Sequence, residues 1–552
     1  MADRRARIPA EARGQKIALN PAIAPPVFLR GEEEREVRVL REYAEFWKIP
    51  YVAGSSREKN QILVSCGMVP RTEAKTHSSV IIFPSGLEDA KKIAEEYDLA
   101  LNSRETMLRL PVSPGVSVSI RTKVNEFSGP GIEPVISDGE TPVLYKLSGT
   151  RVHLSSVDLV SEYERLVAGG LEEVPSRKFR LVTKIPFSYR AIPSFIRNRA
   201  FRAPNSVTEP TEDKLVPVEC LRVIFLASLV VSAECAVPRI AFWRKGKSHA
   251  LAITHDVETK LGLEDGAGRL VELESKLGVR STWNVPSERY PLSSQLLISL
   301  ATAGEVGGHD TKHDGRLIFE SFENKVGRVG RCKSRLESLS KREVRGFRSP
   351  LLQHGRELID ALGKAGFQYD SSAPSWEALS PTSLKPHGVG TVFPFFISNM
   401  LEIPVSLPQD HQLIRVSGLT VSEAVEELFR VSGLVQGIGG ACVLLVHPDY
   451  EFGQPENSEE YYRLLARFKS DPECEILTLG ELARWWTHRA NSQIETGNGD
   501  ISIRYGDKEW SGDLELELVT GYGGDGFKIV RIEDKMEITS LQRDASREEK
   551  FS

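Results

Sequence analysis

Cysteine is scarce, with six in 552 residues. Cys66, Cys220, Cys235, Cys332, Cys442 and Cys474 lie far apart and form no CxxC pair. That spacing argues against a thiolate zinc knuckle and a disulfide-dense secreted scaffold; reduced thiols in a cytoplasmic protein are the expectation. No charge sign dominates either: 71 Lys plus Arg against 76 Asp plus Glu leave a net charge of −5. Recognition of nucleic acid through bulk phosphate neutralisation is therefore not expected. Long hydrophobic runs are missing. The most apolar stretch, VIFLASLVVSA at residues 223–233, is about half a membrane span and predicts a buried helix rather than a transmembrane one. The opening MADRRARIPAEARGQK is charged and leads into no apolar segment, so no secretory signal is expected. No P-loop, HExxH or GxSxG occurs.

What is present is an ordinary globular balance, 40% hydrophobic and 27% charged residues, in a chain long enough for about three to five domains. Residues 1–30, rich in Arg, Ala and Pro, predict a disordered arm. Over residues 31–175, the helical pattern EREVRVLREYAEFW, the buried run SSVIIFPSG, the helical LEDAKKIAEEYDLA and the strand pair TPVLYKL and TRVHLSSVD predict a doubly wound α/β domain. Residues 176–245 carry Pro186, Pro193, Pro204, Pro210 and Pro217 and read as a connector. Over 246–490, apolar runs ending in polar, ionisable residues alternate with helical patterns, the rhythm of a (β/α) barrel whose active site gathers the strand ends. Residues 495–545 alternate polar and apolar, predicting a small antiparallel β-sheet. In that region Gly521, Gly523 and Gly526 satisfy GxGxxG, but the strand-like FKIVRI follows where a dinucleotide site needs a helix N-terminus. A hairpin loop is expected.

The informative constellation lies in the barrel region. His309 and His313 are four apart in GHDTKHD, and on one helical turn such imidazoles face one way and can grip a divalent ion. Alone, the pair marks a polar surface more often than a site. Upstream, Asp256 and Glu258 stand two apart after an apolar run, in ITHDVE. On an extended chain they project to one face, so one carboxylate can complete a metal set while the other accepts a proton. The bland alternative is an acidic strand end capping the next helix. Arg348 in GFRSPL could orient a carboxylate or form an ordinary ion pair. His447, ending the apolar run of VLLVHPD, could be a core histidine or a general acid.

In order, THDVE, HDTKH, RSPL, YDSS and LLVHPD resemble the five-motif pattern of the polysaccharide deacetylase (NodB-homology, carbohydrate esterase family 4) family, over about residues 246–490. The resemblance implies an α/β protein with a distorted (β/α) barrel that removes N-acetyl groups from sugars with a divalent metal, commonly zinc. It casts His309 and His313 as metal ligands, Asp256 as the general base, Arg348 as its orienting residue and the backbone N–H of Leu351 as an oxyanion donor. His447 becomes the general acid, tuned by Asp370. Two departures stand out. Val257 occupies the place of the usual metal-binding aspartate, so either Glu258 supplies the carboxylate, the favoured option, or Asp256 takes the metal and the base is lost or replaced. Asp310 stands where Ser or Thr is common, which should add negative charge beside the metal.

The N-terminal region is similar to class I glutamine-amidotransferase-like (flavodoxin-like) domains, through VIIFPSGLED and TPVLYKLSGTRVHLSSVDLVSEYERL. It lacks the nucleophile elbow: the turn carries Ser85, and Cys66 sits elsewhere. A scaffold or ligand-binding role is expected. Two functions compete for the whole chain: a cytoplasmic metal-dependent N-deacetylase acting on an N-acetylated carbohydrate in surface-glycan assembly, or a deacetylase-like binding protein with a degenerate metal site. A non-sugar amide substrate, as in allantoinase-like relatives, fits within the first.

Overall fold

Buried runs of β-branched residues alternate with amphipathic helices along most of the chain, and they sort into two units of different construction. The computed structural model describes residues 17–18, 23–53, 61–184, 210–497, 500–506 and 512–532. Among these, no helix is long and apolar enough to cross a membrane.

The first unit draws on Met1–Glu164, Pro217–Gly246 and Trp486–Ser552. Its seven-stranded sheet runs in the order Tyr51–Ala53, Val27–Arg30, Ile62–Cys66, Ser79–Phe83, Val152–Ser155, Thr141–Leu147, Ile132–Asp138. Pairing is parallel as far as Val152–Ser155 and antiparallel for the last two strands, a mixed sheet rather than a purely parallel doubly wound one. Helix Glu34–Trp47 starts at a capping box between Glu33 and Glu36, which satisfies the first free N–H groups. A long antiparallel hairpin, Ala100–Ser113 with Val116–Ser128, has no counterpart in the sequence reading.

The expected boundaries change in three places. Val27–Arg30 is an inner strand, not part of an arm. The expected connector divides: Arg165–Val216 belongs with the barrel, while Pro217–Gly246 belongs to the first unit and contains the almost wholly buried helix Pro217–Ala233. The C-terminal strands form no free-standing sheet. Leu516–Gly523 pairs with Val237–Ile240, and Asp500–Arg504 pairs with Ile17–Ala18, because an isolated hairpin leaves apolar edges that only a third strand covers. The Gly521–Gly526 stretch is the turn between Leu516–Gly523 and Gly526–Arg531, with no helix after it.

The second unit comprises Arg165–Val216 and Lys247–Trp485. Its nine-stranded sheet has a run of parallel neighbours: Ala441–Val446, His249–Asp256, Thr282–Val285, Glu305–Gly308, Gly346–Phe347, Tyr369–Asp370 and Met400–Glu402. Cys474–Leu477 also pairs with His249–Asp256, and Phe395–Ile397 runs antiparallel at the far edge. The sheet curls. Just past Met400–Glu402, the Leu407 N–H donates to Val443 O at 3.2 Å and the Ser406 hydroxyl to Ala441 O at 2.6 Å, bringing the two ends of the parallel run together. The strands are buried on both faces, as their near-continuous apolar runs require. The ionisable residues sit at or just beyond the strand carboxyl ends.

Candidate metal and catalytic site

Strand alternation explains the first group of side chains. In Thr254-His255-Asp256, Thr254 and Asp256 share one face, and both lie within 3.4 Å of the Arg348 guanidinium. His255 takes the other face, stacked on Trp283 and bonded to Glu274 at 2.7 Å. Glu258 lies in the loop just after the strand. There its N–H donates to Asp449 Oδ2 at 2.8 Å and its carboxylate accepts from the Tyr450 hydroxyl at 2.9 Å.

His309 and His313 follow the strand Glu305–Gly308, but not on a helical turn as the spacing predicts. They sit in a loop with two left-handed residues, Asp310 (φ 65°) and His313 (φ 51°), and their ring centroids are 4.8 Å apart. Asp310 explains the loop. Aspartate tolerates the left-handed region better than most residues. Its buried carboxylate grips Arg328 at 2.7 and 2.6 Å and caps the His313 N–H at 3.1 Å. The charge that the sequence places beside the metal is thus spent on Arg328.

Ligand atoms of Glu258, His309 and His313 all lie within 4.8 Å of one another, and His313 Nε2 is 3.1 Å from Glu258 Oε1. His309 Nδ1 donates to Arg348 O at 2.8 Å, which leaves the Nε2 lone pair facing the cluster. That Nε2 is buried with no hydrogen-bond partner, the nearest carboxylate oxygen being Asp256 Oδ2 at 3.9 Å. Burial, reinforced by the neighbouring His313, pushes His309 down to about 4, so the ring is neutral at ordinary pH. Two imidazoles and one carboxylate fit a first-row divalent cation with positions to spare.

Asp256 is not in that ligand cluster. Its Oδ1 accepts from Asn284 at 2.9 Å and faces Arg348 at 3.4 Å. Burial alone would raise its carboxyl, but Arg348, His309 and His447 outweigh this and hold it below the usual range. Burial also opposes ionisation of Glu258, and His313 reverses it, leaving that carboxyl well below the usual range. His447 Nδ1 donates to Asp410 Oδ1 at 2.7 Å, and the His447 N–H to Asp410 Oδ2 at 2.9 Å. Burial works against the imidazolium, yet Asp410, with Glu258 and Asp256, lifts His447 to about 10. The ring is a buried cation.

Asp370, expected to tune His447, is bonded elsewhere. Its contacts are Ser372 at 2.6 Å and Glu402, and burial lifts it to about 6. Asp410, in the same LPQDH stretch that closes the curled sheet, is the residue the sequence reading missed; its only signal was a carboxylate just after the apolar run LEIPVSL. Leu351 stands three residues after Arg348 in a left-handed turn (φ 60°), with its side chain 37% exposed.

No family model matches the chain. Peptidoglycan deacetylase-like protein FGM2 of Gibberella zeae is 26% identical over 118 residues, covering 20% of this chain and 34% of that protein. The chain thus spans about a third of that relative's length. Solved structures similar to part of this chain include a protein described as a polysaccharide deacetylase from Mycobacterium smegmatis, at 21% identity and a TM-score of 0.38, over 44% of this chain and 91% of that one. A CE4 family pseudoenzyme from Bacillus anthracis follows at 14% identity and a TM-score of 0.31, over 43% and 66%.

Proposed function

We propose that the barrel unit is a metal-dependent hydrolase that removes an N-acetyl group from an N-acetylated sugar or glycan precursor, within surface-polysaccharide metabolism. One observation carries the reading: a Glu258–His309–His313 donor set adjoins an ionised Asp256 and a charged His447. Glu258, His309 and His313 would hold the divalent ion, zinc in the usual case, which when bound polarises the amide carbonyl and makes water more acidic.

The chain's own residues do the rest. Asp256, kept ionised and oriented by Arg348 and Asn284, accepts the proton of the attacking water. The Leu351 N–H donates to the oxyanion that develops at the carbonyl. His447, its Nδ1 proton committed to Asp410, gives its Nε2 proton to the departing nitrogen. Amide and water become acetate and amine. In the first unit, Ser85 donates to Glu36 at 2.5 Å, and burial raises the Cys66 thiol well above its ordinary value. Neither supports glutamine hydrolysis, and a scaffold or ligand-binding role is the reading for that unit.

Acetate release from N-acetylated hexosamine oligomers, measured beside metal content, tests the proposal. Release that falls with bound metal in a His309→Ala/His313→Ala double variant supports it. A fully metallated protein that releases no acetate from sugar or small amide substrates would overturn it in favour of the binding-protein reading.

A further inference from the structure

Glu173, His354 and His387 bring their ligand atoms within 4.8 Å of one another, at sequence separations that give no motif. None of the three belongs to the site described above. Glu173 and His354 are buried, and His387 is partly so. Each is held from behind. One Glu173 oxygen, Oε1, accepts from the Ser380 hydroxyl and from the Ser383 N–H at 3.0 Å, and a carboxylate anchored by one oxygen still has a second to offer. His387 is fixed by paired backbone bonds with Glu377 at 2.7 and 2.9 Å. Gly170 presses backbone against backbone on Gly388, so closely that a Cβ at Gly170 would meet Gly388 O at 2.5 Å.

The hydrogen inventory shows acceptors crowded together. His354 Nδ1 lies 2.7 Å from Leu352 O and donates to it, so in the singly protonated ring Nε2 turns a lone pair inward. That Nε2 faces Gly170 O at 3.0 Å and His387 Nε2 at 2.9 Å. His387 also bonds to the Gly170 carbonyl, so a single His387 hydrogen would have to serve two converging acceptors, His354 Nε2 and Gly170 O. A cation at the centre turns every one of these acceptors into a ligand. The pattern of an imidazole Nδ1 committed to a carbonyl with Nε2 turned inward is the usual support of a metal-bound histidine.

We infer that Glu173, His354 and His387, with the Gly170 carbonyl beside them, form a second site for a divalent first-row cation of the zinc class. Two imidazoles and two oxygens suit such an ion, and a set with four protein donors is closed, as in a structural site. The ion cross-links three chain segments: the Gly169–Leu171 turn with Glu173, the stretch just beyond Leu351, and the loop paired with Glu377.

Untagged full-length protein, saturated with Zn2+ and freed of excess by gel filtration, should carry two zinc ions per chain by elemental mass spectrometry. His354→Ala/His387→Ala should carry one, and so should His309→Ala/His313→Ala. If the proposed hydrolytic site holds no ion, the unmodified protein would carry one zinc, lost only with the His354/His387 change; the inference would stand while that reading falls. Two ions retained in His354→Ala/His387→Ala, or a single ion lost only in His309→Ala/His313→Ala, would overturn it and leave a shared proton between the rings. Should the double variant not fold, Glu173→Gln offers a milder check, with zinc affinity at this site expected to fall at least about tenfold. Unchanged affinity would count against the site.

Discussion

Asp256 and Glu258 stand two residues apart, the first buried and the second partly so, and their neighbours assign them different work. Glu258→Gln should lose most of the bound metal. Asp256→Asn should keep it and lose about 10²- to 10⁴-fold in turnover, the usual worth of a positioned base. Metal analysis beside acetate release distinguishes them, and metal loss in Asp256→Asn would reverse the roles. The Asp410–His447 pair makes a pH prediction. A histidine whose folded value is raised to about 10 contributes stability in full below its unfolded value of about 6.5 and loses it as pH rises through about 10. Asp410→Asn should therefore pull the alkaline limb of kcat/KM down by more than about one pH unit, and flatten the stability difference between about pH 6 and pH 10 in urea titrations. An unmoved alkaline limb would separate His447 from the proton-donating step. The paired carboxylates and the two histidines were legible because strand alternation and short spacing are local properties. Asp410 was not, since it meets His447 only after the sheet curls, and Glu173, His354 and His387 share no local signal at all.

Loops carry the site, and single residues hold them. The His309–His313 loop depends on Asp310, read from the sequence as a charge beside the metal, and i, i+4 spacing alone cannot separate a helical turn from a loop with two left-handed residues. Asp310→Ala should destabilise the protein by about 3 kcal/mol in urea unfolding. Arg328 would then be left with Asp314 and the more distant Glu320, and alanine is a poor left-handed residue. Zinc affinity should fall with it, whereas Asp310→Asn, which keeps the backbone preference, should fall between. Strand Gly346–Phe347, which delivers Arg348, has its own constraint. A Cβ at Gly346 would sit 1.9 Å from the ring of Tyr369, a buried side chain whose hydroxyl is bonded to Glu305 at 3.0 Å. Gly346→Ala should cost about 3 kcal/mol or more, at or beyond the upper end for core overpacking, and a wild-type melting temperature would show that the strand can shift without loss. The helix at Glu34–Trp47 and the buried strands were readable because capping residues and apolar runs are local. The Ala100–Ser128 hairpin was not, being half exposed and mixed in composition.

At the scale of the whole chain, neither unit is a continuous segment, and no composition shift marks where the chain leaves one for the other. The barrel unit takes in Arg165–Val216 as well as Lys247–Trp485. A fragment starting near residue 246 therefore lacks Gly170 and Glu173, and should melt lower and bind one zinc fewer than one starting near 165. Equal zinc content in the two fragments would contradict this. The first unit is more dispersed still. Strand Val237–Ile240 finds its partner only in Leu516–Gly523, and the buried Arg239–Glu517 pair that accompanies it spans 278 residues. At about 5–20 residues per second of synthesis, that partner arrives roughly 14–56 s after its mate. During the interval the nascent chain presents an unpaired apolar edge, the kind of template that recruits a neighbouring chain. Translation speed across the barrel, and not only the final sequence, should therefore set how much of this protein is recovered in folded form.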